Sequence, residues 1–338
     1  MKSSKIRSIS LISLLILFTA QNSFAASCGD IQIAEMNWAS AELMANVDKL
    51  ILEEGYGCNV EMVQGGTSTI FASMAEKGQP GVAPELWVNA IREPLDKAIA
   101  EGSMVTVNNG PITGLGEAWW IPPATLKKHP ELTSVQAVLK RPDLFPDKED
   151  SSKGAFVGCP AGWGCQAVNI NLFRAFDMEA KGWKLVDPGS AAGLDGSMTK
   201  AVERGENWFG YYWSPTTLIG KHKMVQLDWG VPFAGKENWD TCMAKAESEC
   251  DNPKQTSWIQ SEVFTVMTDD AKKTAGEAAN NYFAKRVFPG EVMNQMLVYM
   301  DKNQADGADA AIEFLLAHEA VWKDWVSDEV ANKVKKAL

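Results

Sequence analysis

Twice along this chain a short apolar run ends in a small-residue loop that opens a helix, and that repeat limits the fold more than any other feature. In the first unit Ile31–Met36 reads as a strand, followed by Asn37-Trp38-Ala39-Ser40 with Ser40 as an N-cap. Leu43, Val47, Leu50 and Ile51 then recur at helical spacing until Gly55-Tyr56-Gly57. Cys58–Val63 is a second strand, Gly65–Thr69 a second loop, and Val82–Val88 a third strand. A β-α-β-α-β order predicts a mostly parallel sheet covered by helices on both faces. Ligands of such sheets sit beyond the carboxyl ends of the strands, where Trp38, Gly65–Thr69 and Trp87 fall.

Thr113-Gly114-Leu115-Gly116 reads as a hinge, and Glu117–Pro122 as a strand opening the second unit. Gly154–Gly158, Lys184–Val186, Trp208–Pro215 and Val225–Trp229 are its further strands, with Met198–Arg204 a helix. Ser257–Thr268 has a strand pattern that returns the chain to the first unit. From Asp269 on the chain is helical: Ala271–Phe283, Gly290–Lys302 and Gly307–Trp325. The expected architecture is α/β and two-lobed. Residues 26–113 and 258–338 form lobe I, and 114–257 form an inserted lobe II. A cleft between two such lobes is a natural binding site, and closure around a ligand is hinge motion.

Cys159-Pro-Ala-Gly-Trp-Gly-Cys165 is the most distinctive segment. Proline and glycine make it a tight loop, and Val168, Leu172 and Phe176 place a helix after it. A disulfide across the loop would fix the direction of the Trp163 indole. Free N–H groups at the helix start attract a negative end of a ligand. The plainer reading is a structural disulfide beside a core tryptophan.

Lys2, Lys5 and Arg7, the apolar run Ile9–Ala20 and Ser23-Phe24-Ala25 form a secretory leader, with cleavage after Ala25. Ala25-Ala26-Ser27 before Cys28 is a poor lipoprotein signal. An oxidising compartment, the bacterial periplasm, suits six cysteines. Nearest-neighbour pairing joins Cys28 to Cys58, Cys159 to Cys165, and Cys242 to Cys250, one of about 15 pairings that six cysteines allow. The formal net charge is −11, and losing the basic leader makes the chain more acidic still, which argues against nucleic acid or an anionic membrane as partner.

Gly65-Gly66 lacks the Lys-Ser/Thr of a phosphate loop. His129, His222 and His318 are scattered, with no nucleophile or metal pattern, so neither catalysis nor a cofactor is expected. Asp240, Glu247, Glu249 and Asp251 surround Cys242 and Cys250. They read as a solvated acidic loop rather than a calcium site, because EF-hand spacing is absent.

Three segments resemble the substrate-binding proteins of ABC importers for glycine betaine and related osmolytes, of the OpuAC or ProX type. They are Gly162-Trp163-Gly164-Cys165-Gln166 with Cys159 upstream, Tyr211-Tyr212-Trp213-Ser214-Pro215, and Glu85-Leu86-Trp87. The resemblance implies a two-lobed periplasmic binding protein of type II that works as a monomer with an ABC permease. It also implies an aromatic cage around a trimethylammonium group. Trp163 and Trp213 would be lobe II walls and Trp87 the lobe I wall. Gly164 and Cys165 would offer N–H groups to a carboxylate. A quaternary ammonium has no N–H, so aromatic faces must hold it, at roughly 0.5–2 kcal/mol per ring.

One ring of the adjacent pair Trp119 and Trp120 is expected to join, with Trp119 preferred. One of Tyr211 and Tyr212, with Tyr211 preferred, is expected to lend a hydroxyl, and Trp38 to add a further contact. Trp183, Trp208, Trp229, Trp239, Trp258, Trp322 and Trp325 are expected in packing. One departure concerns the histidine that some members carry after the lobe I tryptophan, since here Val88-Asn89-Ala90-Ile91 follows Trp87. Glu117, just before Trp119-Trp120, is expected near the cage instead, where it would favour a cation lacking a carboxylate or bond a protonated oxide; the other reading of it is an exposed hinge residue. Choline, trimethylamine N-oxide, carnitine and dimethylsulfoniopropionate therefore stand beside glycine betaine. The competing readings are a ligand-sensing module for a membrane receptor and a secreted enzyme acting on a small amine.

Overall fold

The computed structural model describes residues 28–338, so the leader expected at 1–25 lies outside the described residues. Among the described residues, ten strands form two five-stranded sheets. Lobe I holds β1 (Asp30–Met36), β2 (Asn59–Gly65), β3 (Val82–Trp87), β4 (Met104–Asn108) and β10 (Val263–Thr268), in the order β2-β1-β3-β10-β4. Lobe II holds β5 (Gly116–Ile121), β6 (Gly154–Val157), β7 (Trp183–Val186), β8 (Gly210–Ser214) and β9 (Val225–Gln226), in the order β7-β6-β8-β5-β9. The two orders are equivalent.

In each sheet one strand runs against the other four. It is β10 in lobe I, antiparallel to β3 and β4, and β5 in lobe II, antiparallel to β8 and β9. Each of these two strands is the one that enters from the opposite lobe. The sheets are therefore mixed, and the reversals come from the two crossovers. Helices cover both sheets, which is the two-lobed periplasmic binding protein fold.

The first unit folds as its periodicity requires. Ala39–Leu50 buries Leu43, Met44 and Val47, and β1 aligns with β2 from Asp30–Asn59 to Met36–Gly65. Four elements differ from expectation. Met104–Asn108 is an edge strand that carries no clear alternation of burial. Only Val225–Gln226 of the 225–229 run is strand. Only Val263–Thr268 of the 257–268 run is strand, because residues 257–262 are crossing between lobes. There the Asn89 side chain stands in for a ladder neighbour: its Nδ2 donates to the Gln260 carbonyl at 3.0 Å, and its Oδ1 accepts from the Glu262 N–H at 2.7 Å. The last long helix breaks at His318 into Gly307–Ala317 and Glu319–Trp322. The Trp322 indole caps the break by donating to the Leu315 carbonyl at 2.8 Å. No helix among the described residues is long and apolar enough to cross a membrane.

Candidate ligand-binding site

The gap between the lobes closes around an apolar cavity lined from both sides. Strand ends of both lobes, the start of one helix and the segment before β10 supply its walls. Trp38 follows β1, and Trp87 ends β3. From lobe II come Trp163, at the start of the helix Gly164–Ala175, and Tyr211 and Trp213 on β8. Trp239 and Trp258, from the segment between β9 and β10, complete the lining. Alternation along β8 puts Tyr211 and Trp213 on one face and sends Tyr212 to the other, where its hydroxyl donates to Asp195 at 2.6 Å.

The rings meet edge to face across the gap. Trp163 contacts Trp38 at 5.1 Å and Trp213 at 5.0 Å between ring centroids, both T-shaped. Such arrangements set ring edges against ring faces, as the aromatic quadrupole prefers. The Trp163 indole also donates to Asn37 Oδ1 of lobe I at 2.8 Å. Beside it the Ser68 N–H donates to the Gly162 carbonyl at 3.1 Å. The lobes approach so closely there that a Cβ on Gly66 would lie 2.7 Å from the Gly162 oxygen. On the opposite wall the Trp239 indole donates to the Asn89 carbonyl at 2.9 Å, and Lys245 pairs with Glu93.

Cys159 is bonded to Cys165, which fixes the loop that carries Trp163. Gly164 and Cys165 line the cavity at the first turn of their helix, where N–H groups have no acceptor within the helix. Cys242–Cys250 closes the loop beyond Trp239. That loop is pinned to lobe II by Asn171, whose Nδ2 donates to the carbonyls of Cys242, Met243 and Lys245 at 2.8–3.3 Å. Cys28–Cys58 lies away from the site and joins the starts of β1 and β2. In the acidic loop Asp240 pairs with Lys236, and Glu247 with Arg174.

The cavity is lined by one carboxyl side chain, Glu117, and by no lysine, arginine or histidine. Glu117 Oε1 accepts the Tyr211 hydroxyl at 2.8 Å, and Oε2 accepts the Trp258 indole at 3.1 Å and the Ser261 hydroxyl at 3.0 Å. Burial pushes this carboxyl up to about 7 in spite of the three bonds that favour its charge.

The model of a family described as the substrate binding domain of the ABC-type glycine betaine transport system, OpuAC, matches residues 29–317. The chain belongs to the OpuAC family. Members are extracytoplasmic solute-binding proteins of ABC transport systems and not enzymes. Three solved structures share the OpuAC fold with it. The glycine betaine/L-proline-binding protein ProX of Borrelia burgdorferi is 18% identical, with a TM-score of 0.70 over 90% of this chain and 99% of that one. A choline-binding protein in complex with choline is 15% identical, with a TM-score of 0.69 over 92% and 98%. Lactococcal OpuAC, closed around glycine betaine, is 16% identical, with a TM-score of 0.64 over 88% and 100%.

In this OpuAC chain the structure brings together Trp38, Trp87, Trp163, Trp213, Tyr211, Glu117, Gly164 and Cys165. Trp119 does not join them. It shares a strand face with Glu117 but sits two residues deeper, fully buried against Phe156, Phe176, Phe209 and Trp229. Its indole donates to Asn169 Oδ1 at 2.8 Å under the helix that covers the sheet. Trp239 and Trp258, expected in packing, line the cavity instead. Trp239 opens a short helical turn, Trp239–Met243, and Trp258 lies in chain without regular structure, so no periodicity assigns their faces. The one signal that pointed there was the pair Cys242 and Cys250, which marks an ordered excursion.

Proposed function

We propose that this protein captures a methylated onium solute, a quaternary ammonium or sulfonium ion, between its lobes and delivers it to an ABC permease. The supporting observation is a cavity walled by seven aromatic side chains from both lobes that carries one acid and no base. Ring faces attract a cation that cannot hydrogen-bond, and several rings at roughly 0.5–2 kcal/mol each reach micromolar affinity, about −8 kcal/mol. Trp38 and Trp87 come from lobe I and the other rings from lobe II and the chain crossing back. Closure therefore assembles the cage, and ligand favours the closed state. Lobe I comprises 26–113 and 258–338, lobe II 114–257, and the mature chain is a periplasmic monomer released from a leader at residues 1–25.

Glu117 makes choline, which carries no carboxylate, a better fit than glycine betaine or dimethylsulfoniopropionate. A zwitterion would turn its carboxylate toward Gly164 and Cys165, away from Glu117. Titration calorimetry with choline, glycine betaine, trimethylamine N-oxide, carnitine and dimethylsulfoniopropionate tests the reading, with the solute recovered and checked for chemical change. Choline is expected to bind most tightly and return unaltered. Failure of every onium ion to bind, or its conversion to product, would sink the proposal. The pH dependence sharpens it. A permanent cation favours ionised Glu117, so choline affinity should rise as pH passes upward through about 7. An N-oxide that takes a hydrogen bond from the protonated acid should show the opposite slope.

A further inference from the structure

A second carboxylate stands behind the cage without touching the cavity. Glu85 lies on β3 two residues before Trp87, on the same strand face, and is completely buried. Its Oε1 accepts the Trp38 indole N–H at 2.7 Å, the Trp87 indole N–H at 2.9 Å and the Ser40 hydroxyl at 3.0 Å. Its Oε2 has no partner, so all of its hydrogen bonding converges on one oxygen. That oxygen is shared by the indoles of Trp38 and Trp87, the two that residues 26–113 contribute to the cavity.

We propose that Glu85 is the positioning residue for the lobe I half of the cage. It fixes the two rings in one mutual orientation by accepting both N–H groups on one oxygen and, in its ionised form, enriches their faces in electron density. Two effects follow from the same contact. The rings cannot turn without breaking a hydrogen bond to a buried carboxyl group. A ring whose N–H leans on a negative charge attracts a cation more strongly across its face. Glu85 thus gives selectivity for charge rather than for shape. The inference rests on the onium-binding reading above, and its test includes a measurement that needs no ligand.

The ligand pair is choline and 3,3-dimethylbutan-1-ol, which replaces the charged nitrogen by carbon and keeps the shape. Glu85→Gln keeps an acceptor oxygen and removes the charge. It should weaken choline by about 5- to 20-fold while leaving the neutral alcohol within about twofold. Glu85→Leu removes the acceptor as well and should weaken both ligands. The ligand-free measurement is the set of indole N–H resonances in protein labelled at tryptophan nitrogen, with Trp38 and Trp87 assigned through Trp38→Phe and Trp87→Phe. Both signals should lie at low field in the wild type and move upfield together in Glu85→Gln.

Signals that stay in place, or choline and the alcohol weakening in equal proportion in Glu85→Gln, overturn the proposal. Wild-type protein that ignores every onium ion would remove the transport reading. In that case the two indole signals alone decide whether Glu85 holds the rings.

Discussion

Glu85 and Glu117 stand on opposite lobes, on strands β3 and β5 that are not counterparts, and the contrast between them explains how the cavity can be both greasy and charge-selective. Each carboxylate accepts indole N–H groups from the cage: Trp38 and Trp87 for Glu85, Trp258 for Glu117. Burial raises the pKa of both. Glu85 is sealed behind its rings, whereas Glu117 faces the cavity and is held by two hydroxyls besides its indole. A carboxylate in the first position can act on a ligand only through the rings. One in the second position can act on it directly and exchange a proton as it does so.

The largest expected effect tests whether the two halves form one cage at all. Trp163→Ala removes the ring that touches Trp38 on one side and Trp213 on the other, together with the bond to Asn37. Choline affinity should fall on the order of 100-fold by calorimetry. A fall of less than threefold would mean that the halves act separately.

Glu117→Gln comes next. It should cost choline about tenfold at pH 8.5 and almost nothing at pH 5.5, because the wild-type acid is already protonated there. The same change has a stability signature. A carboxyl whose folded pKa is raised from 4.5 to about 7 contributes most to stability below 4.5 and loses that contribution as pH rises through about 7. Ligand-free Glu117→Gln should therefore melt about 2–4 °C higher than wild type at pH 8.5 and no higher at pH 4. Equal melting points at both values would place Glu117 in a more watery setting than its contacts suggest.

Trp119→Phe separates a core ring from a cage ring. It should lower stability by about 1–3 kcal/mol in denaturant titrations while choline affinity stays within twofold. The smallest effect belongs to the rim. Lys245→Ala breaks the pair with Glu93 between the lobes and should change affinity by about twofold or less at physiological salt.

The sequence made the two α/β units legible because strand and helix alternate with clear periods, and the loops after them carry Trp38, Trp87 and Trp163. The Cys159–Cys165 loop located the wall that bridges both lobes, since so much proline and glycine between two cysteines leaves little else to build. Depth along a strand was not legible. Period two assigns Glu117 and Trp119 to one face, and only the helix packed over that face decides that one meets the cavity and the other the core. Trp239 and Trp258 were hidden for a different reason. Their segment owes its path to bonds with distant residues, such as Asn171 and Asn89, rather than to its own periodicity. Glu85 reads from sequence only as a neighbour of Trp87, because a single acid in a strand says nothing about which N–H groups converge on it.

Gly66 and Gly162 meet backbone to backbone where the lobes touch. Gly66 has an ordinary φ of −102°, so alanine would suit its own chain. The added methyl would intrude only on the facing lobe, like a pebble in a door frame. A Gly66→Ala protein should fold normally yet stay ajar, its rings intact on both jambs and its cargo free to leave. The fit of the door, and not only the lining of the room, would then decide how long a guest remains.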